Sequence, residues 1–364
     1  MPAFSAVQLK AFFEEHLDNI KRQGAVIFDV DETLAGTDEP LKQEMLRLLA
    51  TLLKQRIEVT IISANTLLSN KKRILLPLLA HLNKNDMNYL TFYVNGGGTK
   101  FKATHLGEVI LDKNYNDKNT IDPSVLNDIA YALRDQSTSQ FGLSDTEAKR
   151  WHSWITKRYA DLITNHNLEI HNSWIKKDRQ WVPRIITTEK LDIILTSGND
   201  TLSQPCIELR GAMSNKSFAS LAVRFIPVSK IEREKYQKII YKQITSASKS
   251  RLKMFAGGSS TIEITCTNKK DALVDFISSR PNDKDINPQY VFYFDDAFYP
   301  GGAAEVVVED QSLKINNVAV NKKDPLGYKN LTWIGVGPTA VQSFFTNVFE
   351  DYSWIKQQTQ YTSA

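Results

Sequence analysis

A short apolar run that stops at two carboxylates constrains this chain more than any other feature. Ala25-Val26-Ile27-Phe28 reads as a buried strand, because it is rich in β-favouring residues and ends at charged ones. Asp29 and Asp31 follow at a spacing of two, which in extended backbone turns both carboxylates to one side. Like charges held so close raise each other's pKa unless a cation sits between them. A buried strand ending in such a pair suggests an oxygen-ligated metal, most naturally Mg²⁺. Ligands gather at the carboxyl ends of strands in open α/β sheets, which is where these acids lie. An isolated D-x-D would more often be a solvated polar turn, but Thr33 and Leu34 extend this one to the much rarer D-x-D-x-T pattern.

The chain around that strand is long enough, at 364 residues, for two domains and a sizeable core. Its 42% apolar and 24% charged residues are those of an ordinary soluble protein. A balance of 45 Lys+Arg against 41 Asp+Glu is mildly basic, and no basic run is dense enough to argue for nucleic acid. Two cysteines, Cys206 and Cys266, are too few for a disulfide scaffold or zinc cluster, which points to a reducing compartment and a cytoplasmic location. Met1 to Gln23 mixes acids and bases and lacks the apolar segment of a signal peptide. No run is long and apolar enough to span a bilayer. Oligomeric state leaves no mark in the sequence.

Periodicity predicts a helix over Ala6 to Gln23, with Val7, Leu9, Phe12, Phe13, Leu17 and Ile20 at roughly helical spacing and packed on the first core strand. After the motif strand and a polar turn, Ala35 to Pro40, an amphipathic helix is expected over Leu41 to Gln55. Glu58 to Asn65 is a second apolar strand ending in Ser63 and Asn65, a pair that serves equally well as a helix cap. Lys71 to Leu82 reads as a helix that Pro77 kinks or shortens. Leu90 to Gly98 is a third strand that breaks at three glycines, whose backbone freedom suits a sharp exit.

From about residue 102 to 265 the pattern changes. The polar stretch Lys113 to Asn119 separates expected helices at Val125 to Leu133 and Glu147 to Ile163. Strand-like runs follow at Arg184 to Thr188, Asp192 to Thr196, Cys206 to Leu209, Ala222 to Ile226 and Ser260 to Thr265. Mixed helices and alternating strands predict an inserted α+β domain around an antiparallel sheet. The aromatic-rich part, Trp151 to Trp181, reads as packing within this insert. A returning helix is expected over Asn268 to Ile277, and a lysine at its N-terminal end sits badly with the helix dipole unless an anion lies nearby. Gln289 to Asp296 is an alternating strand ending in Asp295 and Asp296, with Pro300-Gly301-Gly302 after it. A last strand, Leu331 to Val336, and a last helix, Thr339 to Phe349, complete the core.

These segments resemble, in order, the four motifs of the haloacid dehalogenase (HAD) superfamily of phosphatases and phosphomutases. The resemblance covers about Gly24 to Phe101 and Cys266 to Phe349. It implies an α/β, Rossmann-like core with a parallel sheet, built from residues 1–101 and 266–364, and an inserted α+β cap of the C2 type over 102–265. It implies catalytic roles for Asp29 as nucleophile, Asp31 as acid and base, Ser63 as phosphoryl ligand and Lys269 as charge-balancing lysine. Lys270 is a one-residue alternative. Mg²⁺ would be held by Asp29, Asp31 (through its backbone carbonyl), Asp295 and Asp296. Asn65 would assist in substrate binding.

Within the insert, Ile207 to Ser217 and Gly257 to Ile264 look like the substrate-facing segments of eukaryotic-type phosphomannomutases. The matching substrate-binding positions are Arg210, Asn215 and Ser217, with Arg224 standing in for a displaced arginine. The chain departs from that pattern at Glu32, where the family has glycine, and at Ala303-Ala304, where it has Asn-Asp. The resemblance therefore implies first a Mg²⁺-dependent phosphatase that hydrolyses a small phosphorylated metabolite, such as a sugar phosphate, through an aspartyl-phosphate. A phosphomannomutase-like phosphomutase is the alternative, and a non-catalytic binding protein of the same fold a third.

Overall fold

A computed structural model describes residues 4–37, 39–83, 85–104, 108–121, 175–177, 180–182, 184–187, 206–212, 218–224, 234, 237–238, 240–242, 251–256, 261–279, 281–300, 302–323, 327–346 and 348–349. The chain divides into two units. Residues 1–112 and 269–364 form the first, and residues 113–268, inserted in the sequence between them, form the second.

The first unit is built on a sheet of eight described strands: β1 (Ala25–Phe28), β2 (Glu58–Ile62), β3 (Leu90–Val94), β4 (Thr99–Ala103), β5 (Val109–Leu111), β13 (Val291–Asp295), β14 (Asn316–Ala319) and β15 (Leu331–Trp333). Their order is β15-β14-β13-β1-β2-β3-β4-β5. All neighbours from β15 to β3 run parallel, while β3–β4 and β4–β5 are antiparallel. β1 therefore lies inside the sheet with a parallel partner on each side, and all four of its residues are buried. That is why it reads as an unbroken apolar run rather than an alternating one.

Helices and aromatic rings close the core. The helix Ala6–Glu15 starts with a capping box, Ser5 and Gln8 bonding each other's backbone amides. The single helix expected over Ala6 to Gln23 is broken at His16, where φ −104° and ψ 17° leave helical geometry and a second helix, Leu17–Gln23, begins. The His16 ring packs 4.4 Å from that of Phe12, so a tertiary contact sits at the break. Gln43–Lys54 carries a broad buried face, including Met45, Leu48, Leu49, Leu52 and Leu53. Gly337–Phe345 brings Phe344 and Phe345 against Phe13 and Phe294, with centroids 5.4 to 6.0 Å apart.

Three core elements differ from the sequence expectation. The helix over Lys71 to Leu82 is instead Leu67–Asn70, a π-helical turn Lys71–Leu75 and Leu76–Leu79, because Pro77 lacks the N–H that regular winding needs. The glycines after β3 form a tight hairpin, with φ 55°, 69° and 89° at Asn95, Gly96 and Gly97, and return the chain as β4. β4 and β5 then continue the sheet, so the first unit extends through Asp112. β14 went unrecognised because it opens on two asparagines. Both are buried, and Asn316 donates to the carbonyls of Gln289 and Val291.

The second unit contains β6 (Ile175–Lys177), β7 (Gln180–Val182), β8 (Arg184–Thr187), β9 (Cys206–Ala212), β10 (Phe218–Arg224), β11 (Lys253–Ala256) and β12 (Thr261–Thr265). Five form a sheet in the order β11-β12-β10-β9-β8, antiparallel except for β8–β9, and β6–β7 is a separate hairpin. The stretch Lys113–Lys118, expected as a polar separator, is a helix. Burial of Tyr115 and Asn116, not propensity, secures it. The helices expected at Val125 to Leu133 and Glu147 to Ile163, and the strand at Asp192 to Thr196, lie outside the described residues. Among the described residues no helix is long and apolar enough to cross a membrane.

Phe345 is fully buried and lies within 6.5 Å of Phe13, Phe28, Phe294, Phe344 and Phe349, centroid to centroid. Phe345→Ala is expected to destabilise the fold by about 3–5 kcal/mol, measured by urea unfolding of wild type and variant. A loss below about 1 kcal/mol would show that this aromatic layer does not hold the helix to the sheet.

Candidate active site

The parallel register of β1 with β13 pairs Phe28 with Phe294, so the residues one step further, Asp29 and Asp295, emerge side by side. The Asp29 amide still donates to Phe294 O at 3.0 Å, which fixes that alignment. Beyond Asp29 the chain leaves extended geometry. Thr33, Leu34 and Ala35 N–H groups all turn back to Val30 O, and Glu32 adopts φ 58°. Glutamate stands here in a conformation that favours glycine, and its Oε1 accepts from the amide and hydroxyl of Thr37 at 3.1 and 2.8 Å. Asp29 and Asp31 are thus set by a turn, not by strand alternation, and their carboxylates have different partners.

Lys269 is the first residue of the helix Lys269–Ser278 and is buried. Its Nζ stands 2.9 Å from Asp29 Oδ1 and 2.7 Å from Asp295 Oδ2. Lys270, the alternative considered from sequence, pairs instead with Asp310 at 2.7 Å. Asp295 is held on both oxygens, since Oδ1 accepts from the Ala297 amide at 2.8 Å and Oδ2 also accepts from the Tyr293 hydroxyl. Gly302 lets the loop after Asp296 fold back, because a Cβ there would lie 2.1 Å from Ala297 O.

Asp31 Oδ2 accepts from Asn65 Nδ2 at 2.7 Å, and Oδ1 lies 2.8 Å from Arg73 Nη1. Ser63, one residue past β2, is buried and its Oγ accepts from the Asn65 amide at 3.0 Å. Asp29, Lys269, Asp295 and Asp296 thus form one group, while Asp31, Asn65 and Arg73 form a second joined to it through the turn. Arg210 lies on β9 in register with Ser220 of β10, and Arg224 ends β10. Asn215 and Ser217 lie outside the described residues. Sequence reasoning missed Tyr293 and Arg73. Tyr293 was hidden in an alternating aromatic strand, and Arg73 is one of three successive basic residues.

The electrostatics fit a divalent cation. One oxygen each from Asp29, Asp295 and Asp296 lie within 4.8 Å of one another, a set of hard oxygen donors. Burial pushes the Asp29 carboxyl well above its ordinary range, against the pull of Lys269, and Asp295, Asp296 and Asp31 add to the rise. Burial and then Asp295 push Asp296 up to about 7. Burial alone would lower the Lys269 pKa, but Asp29 and Asp295 more than offset it and keep the ammonium charged. One buried ammonium therefore faces three acids, and a second positive charge would relieve the remaining repulsion.

In the metal-free protein Asp296 is expected to titrate near neutrality. A carboxyl whose folded pKa is raised contributes stability at low pH and loses it as pH climbs toward that pKa. Urea unfolding should show Asp296→Asn reducing the stability lost between about pH 5 and about pH 7.5 by on the order of 1–2 kcal/mol. Identical pH slopes in the two proteins would contradict this environment for Asp296.

No protein-family model matches this chain, and no curated protein matches it in sequence. Solved structures do match it. The N-terminally truncated IMP-nucleotidase of Plasmodium falciparum aligns over 95% of this chain and 74% of its own, at 13% identity and a TM-score of 0.50. A haloacid dehalogenase-like hydrolase from B. subtilis aligns over 89% of this chain and 99% of its own, at 12% identity and a TM-score of 0.51. The chain thus shares its fold, a largely parallel sheet with β1 at its centre, with these structural neighbours, one of which is named a haloacid dehalogenase-like hydrolase.

Proposed function

We propose that this chain is a Mg²⁺-dependent phosphoric monoester hydrolase acting on a small phosphorylated metabolite, a sugar phosphate or a compound of similar size. The observation that carries the reading is the buried contact of Lys269 with Asp29 and Asp295 at the carboxyl ends of adjacent parallel strands. A neighbour of the same fold named for the nucleotide IMP, itself a small phosphate monoester, supports it.

In the proposed reaction Asp29 attacks phosphorus and the bond to the leaving oxygen breaks. The electron pair stays on that oxygen, which takes a proton from Asp31. A water then attacks the aspartyl-phosphate and gives its proton to Asp31, and the bond to Asp29 breaks, restoring both carboxyls. Lys269 and Ser63 stabilise the charge spread over the transferring group. Asp29, Asp295, Asp296 and the backbone carbonyl of Asp31 would hold Mg²⁺, which when bound supplies charge neutralisation at the phosphoryl oxygens. Substrate selection is proposed to lie with Asn65 and, in the inserted unit, with Arg210, Asn215 and Ser217, on the strength of the sequence resemblance. The unit inserted after β5 is the proposed cap.

Phosphate release from a panel of phosphorylated metabolites tests the reading. Wild type with Mg²⁺ should turn over at least one, chelation of the metal should stop turnover reversibly, and Asp29→Asn should lower kcat by about 10³-fold or more. Activity that survives Asp29→Asn would remove Asp29 as nucleophile. A requirement for a hexose bisphosphate activator would instead mark a phosphomutase.

A further inference from the structure

Arg73 is a buried cation to which the proposed chemistry gives no role. It is 8% exposed, whereas the adjacent Lys72 is exposed. It sits in the middle of the π-helical turn Lys71–Leu75, where the Leu76 amide donates to Lys71 O, five residues back. Such turns re-aim side chains and recur at functional sites. Two guanidinium nitrogens donate hydrogen bonds and the third makes an ion pair. Nη1 stands 2.8 Å from Asp31 Oδ1, Nε donates to Glu39 O at 2.7 Å, and Nη2 donates to Gly36 O at 3.2 Å. The other Asp31 oxygen accepts from Asn65 at 2.7 Å, so the carboxylate is held by a hydrogen bond on one oxygen and an ion pair on the other. Thr37, next to Gly36, is held in turn by the Glu32 carboxylate.

We propose that Arg73 is the positioning residue for the acid–base carboxylate Asp31, fixing it together with the backbone at Gly36 and Glu39 so that it meets the ester oxygen; this rests on the hydrolase reading above. A planar fork can grip a carboxylate and two carbonyls at once, which a single ammonium cannot. Arg73 keeps its own proton throughout. The proton moves from Asp31 to the ester oxygen as the bond from phosphorus to that oxygen breaks. An alkoxide needs this proton to leave, while a dinitrophenolate departs without it. Hydrolysis of the aspartyl-phosphate is the same for every ester, whereas kcat/KM reports only the steps through departure of the leaving group. Losing the aim of Asp31 therefore lowers kcat/KM selectively for alkyl esters, whereas a damaged fold or nucleophile lowers it for both kinds.

The test compares kcat/KM of the full chain, with Mg²⁺, on the best alkyl phosphate of the panel and on dinitrophenyl phosphate. Arg73→Met should lower kcat/KM on the alkyl ester by on the order of 10–100-fold more than on the dinitrophenyl ester. Arg73→Lys should recover part of the difference. Equal losses on both esters, or none, would overturn the proposal. If Arg73→Met does not fold, the same ratio is read from Arg73→Lys and Arg73→Gln, which keep donors for the loop carbonyls. A wild type inactive on both esters would overturn the hydrolase reading itself, which is a different result.

Discussion

A single buried ammonium organises this protein. Lys269 stands between Asp29 and Asp295, which end two adjacent strands, and it does so from the first turn of the helix that brings the chain back to the core. Removing a charge from water is costly, and so is gathering carboxylates in a dry pocket. Each cost is offset only while both features are present. A lysine at a helix N-terminus opposes the helix dipole, and the two aspartates supply the anion that makes the position tolerable. Three acids against one base still leave an excess of negative charge at the sheet edge, an arrangement suited to a divalent cation and a phosphoryl group.

The pair of aspartates depends in turn on backbone geometry. Parallel register places Asp29 beside Asp295 to within one residue, and a slip would turn either side chain to the wrong face. The register is held from below by stacked and edge-on rings, Phe28 on Phe294 and Phe13 on Phe292. It is held at the edge by Tyr293 and the Ala297 amide, which fix the Asp295 carboxylate. The turn from Val30 to Ala35 then gives Asp31 partners different from those of Asp29, although the two are only two positions apart in sequence.

The parts of this architecture that were legible in the sequence are those where burial and chemistry left a one-dimensional trace. β1 and β13 are apolar runs that end in acids, and Lys269 opens a helix where a lysine is locally unfavourable. β14 left no such trace, because it opens on two buried asparagines, of which Asn316 donates to carbonyls of distant residues. The helix Lys113–Lys118 is polar in composition and forms through burial of Tyr115. Arg73 could not be told from Lys71 and Lys72 by periodicity, since a π turn shifts which side chain points inward. Glu32 read as a departure from a glycine position, and its φ of 58° shows why glycine would suit that place.

The order of strands in the sheet has a consequence for how the molecule is made. β1, β2 and β3 emerge from synthesis first, and β1 has one flank open to hydrogen bonding. Its partner on that flank, β13, follows only after the whole inserted unit has been translated. A nascent half-sheet with a bare, fully apolar edge is a template for wrong pairing, and late non-local pairing is slow. The seam at the centre of the sheet thus closes only after the inserted unit has been made. The ribosome must release most of the chain before the two strand-end aspartates can meet.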